Sequence, residues 1–215
     1  MRHAFKTAVT SLSLILVPVA LPLLSEAYAA ETKLDALTLK ETAFTLPESG
    51  NVVRFKHPAS FHESVVTGGT ITSVSYSDPN QRIAVTLQEN RLDPETYAAL
   101  QEGEIFFEGV VAPFSDKEHL LWGEYEILDK ADTATLKSLT LKGFLKKPED
   151  AFLPDQHNYF LQKALLTHGT SLRFTCQVQG RQAEVASTRE LFELLTPLCT
   201  EIVNSLSVSR ASGKE

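Results

Sequence analysis

The C-terminal third of the chain combines a β-hairpin with one long amphipathic helix, and each of these elements carries one of the two cysteines. Strands are predicted over 159–167 and 171–179, on either side of His168-Gly169. Further along, apolar residues recur at three- and four-residue spacing: Leu191, Leu194, Leu195, Leu198, Ile202 and Val203. That spacing predicts a helix with a wide apolar stripe. Because such a stripe must be buried, we expect this helix to pack on a sheet.

The ends and the middle of this helix carry further signals. Ser187 and Glu190 fit a capping box, which places the start of the helix at Ser187. Pro197 lies inside the pattern, so we predict a kink, or a break restarted with Thr196 as cap. The polar residues from Ser207 onward are expected to fray, with 209–215 as a disordered tail.

The N-terminus has the three-part pattern of a secretory signal peptide. A short basic start precedes an apolar stretch over 12–24, and Ala27-Tyr28-Ala29 provides a small-x-small cleavage signal. The alternative is a membrane anchor, but that stretch is short of the ~20 apolar residues that a spanning helix needs. Pro18 and Pro22 also interrupt it. We therefore predict a signal peptide over 1–29, no stable membrane span after its cleavage, and a periplasmic or secreted protein.

Composition and charge limit the class of the remaining chain. Hydrophobic residues make up 43% of the 215 residues, which supports a real core. The formal charge is −7, and without the two basic residues and one acidic residue of the signal peptide it becomes −8. An acidic chain without a basic cluster is a poor match for nucleic acid. We predict an N-terminal arm over 30–50 and a single domain over 51–208.

The middle of the chain is predicted to consist mainly of strands and turns, with one short helix. Gly68-Gly69 predicts a hairpin turn, and Asp93-Pro94-Glu95 predicts the start of a helix that reaches Gln101. A second turn is predicted over 77–80 and a long surface loop over 146–157. The predicted strands cover 51–56, 70–76, 82–88, 105–111, 119–128 and 136–145.

The two cysteines are predicted to face each other. Cys176 shares a strand face with Leu172, Phe174 and Val178, and Cys199 lies on the apolar stripe of the last helix. In an exported protein two inward cysteines indicate a disulfide. The alternative is a pair of buried free thiols that act as small hydrophobes. A redox role is disfavoured because the chain has no Cys-x-x-Cys.

The order of these elements resembles the PsbP-like superfamily, which includes PsbP, DcrB-type and Mog proteins. The segment Val53-Arg54-Phe55-Lys56-His57-Pro58-Ala59-Ser60-Phe61 is similar to the opening strand of that group, and the terminal helix ends in Asn204-Ser205-Leu206-Ser207-Val208. The resemblance covers residues 48 to 208. It implies an α+β fold in which an antiparallel sheet is flanked by helices, an α/β/α sandwich. It also implies an accessory or binding protein.

Only one cluster of potential metal ligands stands out. His57, His62 and Glu63 could bind Zn²⁺, but a five-residue gap across Pro58 does not impose a shared face. Surface histidines beside a turn are the commoner explanation, so we assign no metal and no cofactor. For Asp155-Gln156-His157 a polar loop tip is favoured over an acid–base site.

Aromatic and acidic residues leave two further alternatives. Trp122, Tyr125 and Phe106-Phe107 could line an apolar cleft, although aromatics at strand spacing are more often core. As strand residues, Phe106 and Phe107 would point to opposite sheet faces. Glu124 and Glu126 lie on one predicted strand face, with Asp129 nearby. These carboxylates could do acid–base work, but a strand face exposed to solvent is the simpler explanation.

The function predicted from these observations is that of an exported bacterial envelope protein. It would act as a non-catalytic accessory or binding protein for a protein partner or for complex assembly. The alternative is a periplasmic binder of a small apolar ligand or a metal, and an enzyme of unknown type comes third. The chain contains no phosphate-binding glycine loop, no Gly-x-Ser-x-Gly and no His-Glu-x-x-His.

Overall fold

The computed structural model describes residues 37–46, 49–68, 71–115, 122–146, 156–181 and 184–210. The predicted signal peptide, residue Asp155 and residues 211–215 lie outside the described part of the chain, as does Gly69 of the predicted turn. The strands are β1 (Leu39–Thr45), β2 (Val52–Pro58), β3 (His62–Gly68), β4 (Ile71–Ser77), β5 (Ile83–Arg91), β6 (Trp122–Asp132), β7 (Lys137–Lys146), β8 (Gln156–Thr167), β9 (Thr170–Arg181) and β10 (Ser207–Ser209). The helices are α1 (Pro94–Gln101), α2 (Ile105–Ser115) and α3 (Val185–Asn204).

Two antiparallel sheets organise the chain. Seven strands form the large sheet in the order β3-β4-β5-β9-β8-β7-β6, and β1-β2-β10 form a small one. The β8–β9 hairpin turns at His168 and Gly169, which both have positive φ (51° and 76°), as a type I′ turn requires. The fold is α+β with an antiparallel sheet flanked by helices, which confirms the predicted fold class.

One face of the large sheet, called here the disulfide face, packs against α3. Alternation along β8 and β9 places Leu161, Phe174 and Cys176 on this face, and each is at most 2% exposed. Leu195, Cys199 and Ile202 of α3 are buried against it. The small sheet packs on the same face, because the Phe55 ring of β2 lies 5.0 Å from that of Phe174.

The opposite face, called here the phenylalanine face, packs against α2. Its core cluster joins three helical residues to the strand residues of β7 and β8: Phe106, Phe107, Val110, Leu139, Leu141, Phe160, Ala164 and Leu166. Helices thus cover both faces of the sheet.

The prediction of a strand over 105–111 is wrong, because these residues begin α2. Phe106 and Phe107 do not point to opposite faces; both are buried in one cluster, with ring centroids 5.4 Å apart. β-Branched and aromatic residues favoured a strand. However, 106, 107, 110, 111 and 114 also follow helical spacing, and burial of that stripe outweighs local propensity.

Helix α1 begins as predicted, whereas the start predicted for α3 is wrong. Asp93 caps α1 by accepting a hydrogen bond from the Thr96 backbone N–H at 2.8 Å. Helix α3 starts two residues before Ser187, whose hydroxyl donates to the Glu184 carbonyl at 3.0 Å instead of capping the helix. The helix continues through Pro197 without a break.

Three strands were missed at the sequence level. β1 lies inside the predicted N-terminal arm and pairs with β2, and β10 lies where fraying was expected. β1 pairs with the next strand along the chain, from Thr45↔Val52 to Leu39↔Pro58, whereas β10 owes its position to pairing with residues distant in sequence. β3 is exposed along its whole length and has no alternation of burial that could mark it.

Candidate functional site

The three residues considered as metal ligands do not form a metal site. His57 is buried, and its two ring nitrogens are already engaged: Nδ1 lies 2.9 Å from the Pro58 carbonyl and Nε2 lies 3.0 Å from the Thr42 hydroxyl. Glu63 accepts a hydrogen bond of 2.8 Å from the Tyr76 hydroxyl, and His62 is exposed at the start of β3. Among the described residues, no group of three or more His, Cys, Asp or Glu could hold a metal ion.

Burial changes the pKa values of His57 and of the neighbouring Tyr76. The His57 ring stacks on that of Tyr76 at 3.8 Å, and desolvation lowers the pKa of His57. Burial, together with the hydrogen bond to Glu63, raises the pKa of Tyr76 to about 12. Both groups are therefore uncharged at neutral pH, and the cluster joins β2 to β4 as a structural contact.

The most developed surface feature is a groove between strands β6–β8 and the first half of α3. It is open to solvent and has a volume of about 580 Å³. Its lining comes from the disulfide face and from α3, together with Tyr125 and Gly143, which the strand register places on the opposite face. Its lining includes Glu124, Glu126, Lys142, Phe144, Tyr159, Arg189, Phe192 and Glu193.

Two partly buried aromatic rings, Phe144 and Tyr159, form the floor of the groove, and the fully buried Phe192 ring packs against Tyr159. Phe144 of β7 and Tyr159 of β8 are cross-strand partners with ring centroids 4.6 Å apart. Tyr159 also stacks on Phe192 of α3, at 5.9 Å and 26°. Burial raises the pKa of Tyr159, so the hydroxyl stays protonated. The floor therefore presents flat apolar area with a hydroxyl among the rings, which is typical of interface anchors.

Charged residues of both signs surround this floor. Lys142 Nζ lies 2.8 Å from Glu193 Oε2 and 5.4 Å from the centroid of the Phe192 ring. Cross-strand pairing places Glu126 opposite Lys142 and Glu124 opposite Phe144. Glu124 and Glu126 therefore share one face of β6 as predicted, and both are exposed. An aromatic floor with a charged rim resembles the general anatomy of protein-binding surfaces.

The predicted aromatic cleft does not form as a unit. Tyr125 is 43% exposed, and its ring lies 4.9 Å from Phe114 of α2, so it belongs to the phenylalanine face. Phe106 and Phe107 are core residues, as the more common interpretation predicts. The Trp122 side chain lies outside the described part of the structure.

His157 lies buried beside the groove floor, where the sequence predicted the tip of a polar loop. It belongs to β8, is fully buried, and lies 6.0 Å from the Phe144 and Tyr159 rings. Within the described residues neither of its ring nitrogens has a hydrogen-bond partner, and the nearby Thr188 hydroxyl has none there either. Desolvation lowers the pKa of His157, and Glu184 and Arg82 act on it weakly in opposite directions. The loop-tip prediction is wrong for this residue because β8 begins earlier than expected.

The predicted disulfide joins Cys176 of β9 to Cys199 of α3, with the two Cα atoms 5.4 Å apart. Both residues are at most 1% exposed. The bridge fastens α3 to the sheet, and α3 supplies one wall of the groove. In the described part of the chain, no helix is both long and apolar enough to cross a membrane.

A second opening of similar volume lies beside the His168-Gly169 turn. Its lining includes Leu92, Tyr97 and Arg210. Among the described residues that line it, Arg210 alone is a Lys, Arg, Asp or Glu, and Tyr97 is the single Phe, Tyr or Trp. The groove beside α3 is therefore the stronger candidate site.

Comparisons with known proteins give matches at the level of structure. No protein-family model and no curated protein sequence matches the chain. The solution structure of cyanobacterial PsbP (CyanoP) from Synechocystis sp. PCC 6803 is similar, with a TM-score of 0.47 and 11% identity over 80% of this chain and 94% of that one. The Ran-binding protein Mog1p of Saccharomyces cerevisiae has a TM-score of 0.42 and 10% identity, covering 79% of this chain and 96% of its own.

A third similar structure is LpqN of Mycobacterium tuberculosis, described as involved in cell envelope biogenesis. Its TM-score is 0.36 and its identity 12%, over 82% of this chain and 95% of LpqN. At these identities the likeness concerns the fold alone. The observed fold, an antiparallel sheet with helices on both faces, has the α+β class that the sequence resemblance implied.

Proposed function

We propose that this protein is exported to the bacterial envelope and acts there as a non-catalytic accessory or binding protein for a protein partner. The proposed binding site is the groove between β6–β8 and α3. A role of this kind is compatible with the PsbP, Mog1 and LpqN structures. The signal-peptide pattern and the disulfide support export, because disulfides persist in oxidising compartments.

The groove itself carries the proposal. Its aromatic rings offer contact area without a large entropy cost, and its charged rim offers orientation to a polypeptide. The covalent bond between β9 and α3 holds this surface in shape before the partner arrives, which lowers the cost of binding. The expected partner segment carries an apolar or aromatic side chain for the floor and charged groups for the rim.

Binding of a small ligand in the same groove is the second candidate. Its volume of about 580 Å³ falls inside the range of ligand pockets, roughly 300–1,000 Å³. Native mass spectrometry of the purified mature protein separates the two candidates. A small molecule that co-purifies at one per chain and is displaced by a groove variant would favour the ligand and contradict the protein-partner proposal.

The decisive experiment is affinity capture from an envelope extract with mature protein and matched variants. Arg189→Glu reverses a rim charge, whereas Glu190→Lys changes the charge of the neighbouring exposed residue, which does not line the groove. We expect Arg189→Glu to weaken capture of the partner about tenfold or more, and Glu190→Lys to leave it nearly unchanged. Equal capture by both variants would contradict the proposed site.

Export is tested separately on the native protein. The mass of the chain isolated from the envelope fraction should correspond to cleavage after Ala29. Denatured, unreduced protein should show no reactive thiol. Two reactive thiols per chain, or an uncleaved N-terminus on cytoplasmic protein, would contradict export.

A further inference from the structure

Strand β3 forms one edge of the large sheet, and all seven of its residues are exposed. No described strand pairs with its outer side. Val65 is 47% exposed and Val66 65% exposed, so apolar area lies on both sheet faces at the centre of this edge. The seven pairs from His62↔Ser77 to Gly68↔Ile71 run without a register shift, so the strand is regular. A regular edge with a single acidic residue is a template for pairing with another strand.

The opposite edge of the same sheet is protected against such pairing. β6 carries charged residues along its length, among them Glu124, Glu126, Asp129 and Lys130. Its pairing with β7 also contains a register shift between Ile127 and Asp129. Charges and bulges are the features by which proteins block a sheet edge. In β3 the one ionic carboxylate, Glu63, lies near an end and is hydrogen-bonded to Tyr76.

The small sheet offers no comparable edge. β10 has only three residues. β1 carries Lys40 and Glu41, and three of its seven residues are partly buried. Among the described strands, β3 therefore combines length, regularity, exposure and low charge.

We propose that the β3 edge binds the β3 edge of a second copy of this chain, antiparallel and with Val65 opposite Val65. This register is self-complementary. It pairs Ser64 with Val66, Glu63 with Thr67 and His62 with Gly68 of the second copy. No like charges meet, and two β-branched side chains meet at the centre, which is a favourable cross-strand pair. The same operation on β6 would be interrupted at its centre, where the pairing with β7 shifts register between Ile127 and Asp129.

The expected dimer is weak. Seven residues extend over only ~24 Å at ~3.4 Å per residue. A contact along one strand edge is therefore smaller than the ~1,600 Å² of an ordinary stable interface. We expect a dissociation constant in the micromolar to millimolar range, with dimers appearing as concentration rises. This inference stands independently of the groove, which lies at the other end of the sheet order, beside β6.

The test uses cross-linking of single-cysteine variants of the mature, disulfide-bonded protein. Val65→Cys places a thiol directly opposite its own copy, within reach of a short bis-maleimide. Ile127→Cys on the blocked β6 edge is the matched control, since Ile127 is 50% exposed. At about 50 μM protein we expect Val65→Cys to cross-link at least about tenfold faster, because pairing raises the effective concentration of the thiol. Mixing Ser64→Cys with Val66→Cys should give the crossed dimer faster than either variant alone.

Sedimentation velocity checks the wild-type protein without added cysteines. Wild type should show a concentration-dependent rise in sedimentation coefficient, and Val65→Lys should remain monomeric with an unchanged circular dichroism spectrum. The proposal would be overturned if wild type remained monomeric at about 1 mM, the weakest dissociation constant expected. Equal cross-linking rates of Val65→Cys and Ile127→Cys would overturn it as well. A third outcome would also overturn the proposal. If wild type does not dimerise but captures an envelope protein that Val65→Lys fails to capture, the β3 edge binds a strand of that other protein.

Discussion

The two faces of the large sheet are covered in different ways. On the disulfide face, α3 is bonded covalently to β9 through Cys176–Cys199 and also packs through Phe192, Leu195 and Ile202. On the phenylalanine face, α2 is held by apolar packing of Phe106, Phe107 and Val110. The candidate groove lies on the covalently fixed side. The comparison shows that the cross-link fastens the helix that lines this groove, whereas the helix on the other face is held by apolar packing and by Lys130 and Lys137 over the Phe107 ring.

The largest expected effect is the loss of packing on the phenylalanine face. Phe106→Ala should lower the free energy of unfolding by about 4 kcal/mol, because a side chain only 3% exposed leaves a cavity. Ile105→Ala in the same helix should change it by less than about 0.5 kcal/mol, since Ile105 is 47% exposed. Urea unfolding measures both. A small effect for Phe106→Ala would contradict the dependence of α2 on packing.

Removal of the cross-link should be the next largest effect. The double variant Cys176→Ala/Cys199→Ala opens a loop with a sequence separation of 23, and we expect a loss of about 3 kcal/mol. Reduction of wild type should lower its free energy of unfolding by a similar amount, and the same reductant should leave the double variant unaffected.

If the two faces are independent, the loss of stability caused by Phe106→Ala should be equal in oxidised and reduced protein within about 0.5 kcal/mol. A larger difference would show coupling through the sheet.

The buried His157 should make the disulfide face sensitive to acid. Because the folded pKa of His157 lies below the ordinary value of 6.5, the unfolded chain binds the proton more readily. Its contribution to stability is therefore complete above pH ~6.5 and is lost as the pH falls below that value towards the folded pKa. His57, whose pKa is lowered by burial as well, acts in the same direction.

The variant His157→Leu isolates this effect. It removes two unpaired buried nitrogens, so we expect the free energy of unfolding at pH 7 to rise by about 1 kcal/mol and the loss between pH 6.5 and pH 5 to become smaller. His62→Gln, at an exposed position, is the control. Destabilisation by His157→Leu at pH 7 would show that the ring needs its polarity.

The smallest effect is expected at the groove rim. Lys142→Gln breaks the ion pair with Glu193, whose side chain is 51% exposed, and should cost about 0.5 kcal/mol of stability. A double-mutant cycle with Glu193→Gln measures the pair directly, and added salt should reduce its coupling energy. A coupling energy above about 2 kcal/mol would mean that this pair, like the disulfide, fixes α3 to the sheet.

The parts of the fold with strong local periodicity were predictable from the sequence. The alternation in 171–179, the Asp93-Pro94 start of α1 and the apolar stripe of α3 each carry their own signal, and from two of them the Cys176–Cys199 pairing followed. Helix α2 was missed because its residues favour a strand locally. β1 was missed because its residues are mostly exposed and their burial does not alternate regularly, and β10 because its partner is distant in sequence. The sequence predicted a binding role but did not locate the groove, since Phe144, Tyr159 and Phe192 come from three elements that meet only after folding.

The sequence by itself predicted β9, the start of α1 and the apolar stripe of α3, and it favoured a disulfide between the two cysteines and export of the chain. These predictions depend on spacing, residue type and facing, which are local properties, whereas the α+β class came from the resemblance to the PsbP-like superfamily. The tertiary structure alone decided which residues became helix α2, which histidines are buried, and where a binding surface forms. Those outcomes depend on which distant residues share buried area, and burial of a shared core outweighs the local preference of any one segment.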